Sequence, residues 1–207
     1  MELNLIESIK MLEKYGIKTA KMQEIRNETE LKEKTKKNNY PIVMKIVSSK
    51  ISHKTEKGGV ITEINTEKEA EEAFQKLKKI KGFEKAIIQE YIEGTELIIG
   101  SSTDPQFGKI ILFGLGGVFV EVLKDTSIRI IPIEKKDAKE MIEEIKGKKI
   151  LDGFRGKKAI NKKKIEEIIF KIAKMIETEN IEEMDINPLI ANEKEIKAVD
   201  ARITIKR

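Results

Sequence analysis

Apolar residues at Leu5, Ile6, Ile9 and Leu12 recur at helical spacing, so the chain opens with a helix over residues 3–14 that Gly16 closes. Ile17 to Met22 has the make-up of a short strand. Glu28 to Asn39 is polar and helix-forming, and Tyr40-Pro41 ends it. IVMKIV (Ile42 to Val47) predicts a strand with one lysine inside. Ser48 to Gly59 is polar and ends in Gly-Gly, after which Val60 to Ile64 alternates as a strand. Thr66 to Lys79 places Ala70, Ala73, Phe74 and Leu77 on one helical face, with Thr66 and Glu69 spaced as a capping box.

Strands dominate the middle of the chain. Ala86 to Ile92 and Glu96 to Ser101 come first, followed by a turn at Asp104-Pro105-Gln106. Lys109 to Gly114 leads into Leu115-Gly116-Gly117 and the apolar VFVEVL, and Ser127 to Ile133 alternates again. Lys135 to Lys146 and Lys163 to Thr178 read as helices. Ile181 to Ile190 and Ile196 to Ile205 read as strands joined by a hairpin turn at Glu193 to Glu195. No regular strand–helix alternation runs through residues 86–133, so the expected fold is α+β in two lobes and not a doubly wound sheet.

Composition narrows the chemistry. With no cysteine among 207 residues there is no disulfide framework, zinc-thiolate site or cysteine nucleophile. Hydrophobic residues make up 39%, enough for a core. No apolar run approaches the roughly 20 residues of a membrane helix. The N-terminus is amphipathic and contains acids, unlike a signal peptide, so a cytoplasmic location is expected. The 41 Lys plus Arg and 36 Asp plus Glu are interleaved, leaving a net charge of +5. That pattern describes a solvated, ion-paired surface and not a nucleic-acid-binding patch. Lys and Glu enrichment, few aromatics and no cysteine fit a thermophilic source, though an A/T-rich genome would give the same Lys and Ile bias.

Several residues carry possible chemistry. Lys45 lies in an apolar strand; buried, it would need an anion, while on an edge it would be ordinary. His53 sits in the polar loop ahead of Gly58-Gly59. A neutral imidazole, with an unperturbed pKa of about 6.5, is a good nitrogen nucleophile, and paired glycines let main-chain amides approach phosphate oxygens. Glu90 and Glu96 stand at strand ends, where a carboxylate can accept two ribose hydroxyls or simply meet water. Gly114, Gly116 and Gly117 are three glycines in four positions, a costly run unless the backbone path demands it. It matches neither a Walker loop nor a dinucleotide fingerprint. Asp185 and Asn187 would share one strand face, and Asp200 would join them if the last two strands pair. Such oxygen donors suit Mg²⁺ when phosphates complete its shell; they are also ordinary turn-proximal polar residues.

Taken together, a strand lysine, a Gly-Gly loop, a strand-end Gln-Glu, a following Glu and late Asn and Asp form the residue order of ATP-grasp enzymes. The segments KIVSSKISHKTEKGGV, DPQFGKIILFGLGGVFVEVLKD, EEMDINPL and VDARI, with YGI near residue 15, resemble the β subunit of ADP-forming acetyl-CoA synthetases, relatives of succinyl-CoA synthetase. The resemblance runs from Tyr15 to Ile203.

The resemblance implies a two-lobed ATP-grasp fold with nucleotide between the lobes. The small lobe would span about residues 17–100; the large lobe would span about 101–207 plus helix 1–16. It implies ATP/ADP and Mg²⁺ as cofactors, and the reversible reaction acyl-CoA + ADP + phosphate = acid + CoA + ATP. His53 matches the β-chain histidine that relays the phosphoryl group, a residue succinyl-CoA synthetase lacks. Lys45 resembles the phosphate-contacting lysine, and Gly58 and Gly59 the loop over the phosphates. Glu90, Tyr91 and Ile92 resemble the adenine hinge and Glu96 the ribose carboxylate. Gly116 and Gly117, with Glu121 nearby, would line the phosphoryl route. Asn187 and Asp200, with Asp185 beside them, would hold Mg²⁺. An α partner would carry the CoA-binding domain and the other phosphohistidine, in an α2β2 assembly. The stretch from Phe113 to Leu123 would be either a contact region or core. A self-contained ATP-grasp carboxylate–amine ligase is the alternative, disfavoured by His53 and the short chain. A non-catalytic nucleotide-binding module is a third, disfavoured by the intact Lys45, His53, Asn187 and Asp200.

Overall fold

The computed structural model describes residues 1–36, 40–48, 57–117, 120, 122–153 and 158–206. The expectations for His53, Glu121 and most of the loop that carries His53 lie outside these residues, as does half of the apolar VFVEVL segment. The chain divides into two compact units, residues 20–92 and residues 1–19 with 93–207.

The smaller unit holds β1 (Met22–Ile25), α2 (Glu28–Thr35), β2 (Ile42–Val47), β3 (Val60–Ile64), α3 (Glu67–Lys78) and β4 (Lys85–Glu90). Its four strands are antiparallel in the order β1-β4-β2-β3, so β2 is an interior strand. The strand anticipated over residues 17–22 begins only at Met22; Ile17 is instead a buried apolar residue of the other unit. Ile42, Met44 and Ile46 of β2 and Ala86 and Ile88 of β4 pack with Leu31 of α2 and Ala70, Phe74 and Leu77 of α3. Phe74 meets Phe83 edge-on, with ring centroids 5.9 Å apart. Thr66 caps α3 by accepting from the Glu69 N–H at 3.2 Å. The Glu69 carboxylate reaches back to the Asn65 N–H at 2.7 Å and not to that of Thr66, so the reciprocal bond of the capping box falls one residue early.

The larger unit holds α1 (Leu5–Lys14), β5 (Thr95–Asp104), β6 (Gly108–Leu115), β7 (Thr126–Ile130), α4 (Lys135–Glu144), a 3₁₀ turn (Lys146–Ile150), α5 (Lys162–Thr178), β8 (Ile181–Ala191), β9 (Ile196–Ala198) and β10 (Arg202–Ile205). The sheet order is β10-β8-β5-β6-β7, with β9 also paired to β8. The long final strand anticipated over 196–205 is therefore two strands broken at residues 199–201. The lobe boundary anticipated near residue 100 falls between residues 92 and 93, because β5 pairs along its length with β6 and β8.

One face of this sheet carries Leu97, Ile99, Ile111, Phe113, Met184 and Ile186, all buried. α4 and α5 cover that face: Ser127 reaches Glu144 of α4, and Lys109 reaches the Ile176 carbonyl of α5. Ile165, Ile169, Ile172 and Ile176 form the fully buried stripe of α5, each worth about 1.5–3 kcal/mol of burial. That stripe holds α5 in place although Lys162, Lys163 and Lys164 crowd its first turn against the helix dipole. α1 is closed by a capping box between Asn4 and Glu7 and packs against β10. The stretch from Phe113 to Leu123 is split: Phe113 and Leu115 are core, while Val122 and Leu123 are 73% and 59% exposed. Among the described residues no helix is long and apolar enough to cross a membrane.

Candidate functional site

In the smaller unit Lys45 is 4% exposed, opposite Ile87 of β4 and Val60 of β3. An interior position removes the solvent-edge alternative left open by the sequence. A buried ammonium is costly unless an anion or acceptor meets it, so a lysine in this place has a reason beyond packing. Gly58 has φ +67°, and nothing lies within 4 Å of where its Cβ would be. It is a glycine for backbone conformation and not for space. The Gly59 carbonyl accepts from the Ile46 N–H at 2.8 Å, tying the end of the glycine pair to β2 beside Lys45.

At the end of β4 the main chain is partly committed. The Glu90 N–H donates to the Lys21 carbonyl at 3.0 Å, and the Glu90 carboxylate accepts from the Lys21 N–H at 2.8 Å. The Tyr91 N–H donates to the Pro41 carbonyl at 3.4 Å, and its hydroxyl donates to Glu63 at 3.3 Å. Both amides are therefore engaged by main-chain carbonyls just outside the strands. Ile92 makes no main-chain hydrogen bond to a described residue.

The larger unit gathers the rest on one sheet. The Gly116 N–H donates to the Glu96 carbonyl at 2.8 Å. A Cβ at Gly116 would lie 2.9 Å from the Glu96 Cβ, and one at Gly117 would lie 3.3 Å from the Glu96 carboxylate. The glycines thus let the turn after β6 press onto Glu96. On the face away from α4 and α5, Gly100 of β5 stands opposite Asp185 of β8. The β5–β8 register shifts between Leu97 and Ile99, so Asn187 and Pro188 together face Ile98. Along the other edge of β8, the Val199 N–H donates to the Pro188 carbonyl at 3.0 Å and Arg202 pairs with Asp185. The break at residues 199–201 therefore sets Asp200 beside the irregular part of β8.

The electrostatics agree with that placement. The Asp185 carboxyl is raised above its ordinary value, first because surrounding protein displaces water from it; Arg202 opposes the shift, and the negative charges of Asp200 and Glu183 add to it. Asp185 and Asp200, with the amide of Asn187 on the same strand as Asp185, are hard-oxygen donors of the kind that could hold Mg²⁺. Among the described residues no three His, Cys, Asp or Glu side chains are clustered to hold an ion by themselves. The set is two carboxylates and an amide, so phosphate or water oxygens would have to complete the shell. Arg202 carries no signal in the sequence beyond its place in VDARI. Only its register with Asp185 shows its part. The groove between α2 and α3, crossed by the Lys32–Glu71 and Lys78–Glu28 ion pairs, contains none of these residues.

Residues 1–205 match the ATP-grasp domain. The chain is 42% identical over 208 residues to the β subunit of ADP-forming acetate–CoA ligase I of Pyrococcus furiosus, covering 96% of this chain and 90% of that one. It is also 42% identical over 200 residues to ADP-forming acetate–CoA ligase II of Archaeoglobus fulgidus, covering 96% of this chain but spanning only 30% of that longer protein. Among solved structures, acetyl-coenzyme A synthetase 1 of Ca. Korarchaeum cryptofilum, in complex with coenzyme A, Ca-AMPCP and HgCl+, has a TM-score of 0.90 at 37% identity, covering 99% of this chain and 93% of that one. Another form of it, bound to coenzyme A and Mg-AMPPCP, has its phosphohistidine segment pointing towards the nucleotide binding site (TM-score 0.85, 38% identity, the same coverage). The chain belongs to the ATP-grasp family, in the branch of the ADP-forming acetate–CoA ligase β subunits.

Proposed function

We propose that this chain is the nucleotide-binding subunit of an ADP-forming acyl-CoA synthetase. In that role it moves a phosphoryl group between His53 and ADP while acyl-CoA, ADP and phosphate become acid, CoA and ATP. The observation that carries the reading is the nearly end-to-end match to a β subunit, 90% of whose length is covered. Residues 20–92 serve as the smaller lobe and the remainder as the larger.

Phosphoryl transfer asks mainly for positioning and charge neutralisation. Lys45 places a fixed positive charge for the phosphates, and Gly58 and Gly59 offer main-chain amides. The main chain of Ile92, with Glu90 and Tyr91 framing it, meets the adenine edge, and Glu96 accepts from the ribose hydroxyls. Asn187, Asp200 and Asp185 hold Mg²⁺, which when bound supplies charge neutralisation on the phosphates. In the direction of ATP formation, the P–N bond of phospho-His53 breaks as an ADP β-phosphate oxygen bonds to phosphorus. The neutral imidazole is left behind. Gly116 and Gly117 keep the delivery path open beside Glu96.

The CoA chemistry falls to an α partner that supplies the remaining length seen in the single-chain relatives. We place the pair in an α2β2 assembly in the cytoplasm. The test is phosphorylation of the purified chain with Mg²⁺ and γ-labelled ATP, alone and with the α chain. Acid-labile, base-stable label on the wild type and none on His53→Asn is the expected result. Label that survives the loss of His53, or product formation with α but without any label, overturns the relay.

A further inference from the structure

Asp125 lies just before β7 and is 4% exposed, a carboxylate in the interior of the larger unit with no part in the steps above. Its two oxygens accept from consecutive main-chain amides, Lys146 N–H to Oδ1 at 2.6 Å and Gly147 N–H to Oδ2 at 2.7 Å. No ion pair joins it to a cation among the described residues. The two amides open the 3₁₀ turn, and the residue at its cap position, Ile145, has no side chain able to satisfy them. Asp125 is thus the cap of that turn, supplied from 21 residues upstream. A carboxylate is costly to bury, and two amides aimed one at each oxygen are what make burial tolerable.

The turn it holds bears on the glycine run. Gly147 packs so closely that a Cβ there would sit 2.3 Å from Leu115 Cδ1 and 3.0 Å from Asp125 Oδ2. Leu115 is fully buried and directly precedes Gly116. On its other side, the Asp125 carbonyl oxygen lies 2.7 Å from where a Cβ of Gly114 would be. Asp125 therefore touches the run twice, by its own main chain at Gly114 and through Gly147 at Leu115. Glu96 holds the opposite side of the run through the Gly116 N–H.

We propose that Asp125 is a positioning residue: by clamping the Lys146–Gly147 turn onto Leu115, it fixes Gly116 and Gly117 where the phosphoryl group is delivered. This rests on the reading of the glycine pair as part of the delivery path. The clamp can be loosened from either end. Asp125→Asn keeps the size but turns an NH₂ toward one of the two amides. Gly147→Ala drives a methyl into Leu115, and Leu115→Ala added to it removes the atom that is struck.

The test measures, for the full chain with its α partner, the single-turnover rate of label transfer from γ-labelled ATP at saturating nucleotide. Mg-ADP affinity by calorimetry and amide hydrogen exchange at residues 146–147 are measured beside it. Asp125→Asn and Gly147→Ala should each slow transfer about 10- to 100-fold, the scale of a misplacement on the order of 1 Å, with Mg-ADP affinity held within about threefold of wild type. The amides at residues 146–147 should exchange at least about tenfold faster in Asp125→Asn. Leu115→Ala should bring Gly147→Ala back to the rate of Leu115→Ala alone, the non-additivity of two residues in contact. Wild-type transfer in both single variants while Gly116→Ala is slow overturns the clamp and leaves the glycine reading standing. Wild-type transfer in Gly116→Ala as well overturns both. Transfer and affinity falling in parallel, or Gly147→Ala unrelieved by Leu115→Ala, overturns the clamp.

Discussion

Replacing Gly116 by alanine tests how the turn after β6 is held on Glu96. The added Cβ would lie 2.9 Å from the Glu96 Cβ and 3.3 Å from the Glu96 carbonyl carbon. Carbon atoms pack comfortably at about 3.5–4.0 Å, so a shift of roughly 0.6 Å or more is forced. Neither side can yield easily, because the struck atoms are main chain or next to it. The Gly116 N–H to Glu96 carbonyl bond at 2.8 Å also ties the two backbones together. Overpacking of this kind costs about 1–3 kcal/mol. For a chain of 207 residues that lowers the melting temperature by about 2–4 °C per kcal/mol, so a fall of roughly 2–12 °C is expected. Glu96 moves with it, and nucleotide affinity should fall by about tenfold or more, about 1.4 kcal/mol per factor of ten. Gly100→Ala is the control on the same sheet face. Its Cβ would rest at an ordinary 3.6 Å from the Met184 carbonyl oxygen, so it should melt and bind like wild type. Thermal melts and Mg-ADP calorimetry on both variants decide the matter. If Gly116→Ala behaves as wild type, or Gly100→Ala loses as much, the steric reasoning is wrong.

Lys45→Met keeps the volume of a residue that is 4% exposed and removes its charge. The fold should survive with Mg-ATP affinity down by about tenfold or more, the scale of one charge-assisted phosphate contact. Unchanged affinity by calorimetry would remove Lys45 from the site. Glu144 is pulled down to about 2 by its hydrogen bonds from Arg129 and then from Ser127. A carboxyl lowered in the fold stabilises it above its ordinary value near 4.5, and that stabilisation is lost as the pH falls from about 4.5 towards 2. Because the Glu144 side chain is 50% exposed, the contribution is discounted to about 1 kcal/mol. Denaturant unfolding against pH should show a shallower acid limb in Glu144→Gln than in wild type; identical limbs would refute the assignment.

Most of the architecture was legible where a periodic pattern met a local stop signal. α1 and α3 follow their apolar spacing and their caps, Asn4 and Thr66. The pattern from Ile17 to Met22 imitates a strand because Ile17 and Ala20 are buried through tertiary packing and not through strand alternation. The last strand looked continuous because Val199 and Ala201 suit a strand. Only the pairing of β9 and β10 with one edge of β8 shows the break that places Asp200. Lys45 could be read as a candidate but not as buried, since strand order is a non-local property. Asp125 was invisible for a related reason: the amides it caps lie 21 residues downstream, and no short motif records such a distance.

The larger unit is interrupted, with residues 1–19 at one end of the chain and 93–207 at the other. This inverts the usual order of assembly during synthesis. Residues 20–92 contain every strand and helix of their own sheet, so the insert can complete itself before the last strands of the larger unit are made. α1 cannot do so. Its apolar side, Leu5, Ile9 and Leu12, belongs to the sheet that ends at β10, and its lead-in residue Leu3 bonds to the Ile203 carbonyl. Closing a loop of that length costs about 5 kcal/mol of chain entropy, to be met by contacts formed only when the final strand arrives. α1 is therefore seated only after β10 has been translated. Until then its exposed apolar stripe is the feature a nascent-chain chaperone would encounter.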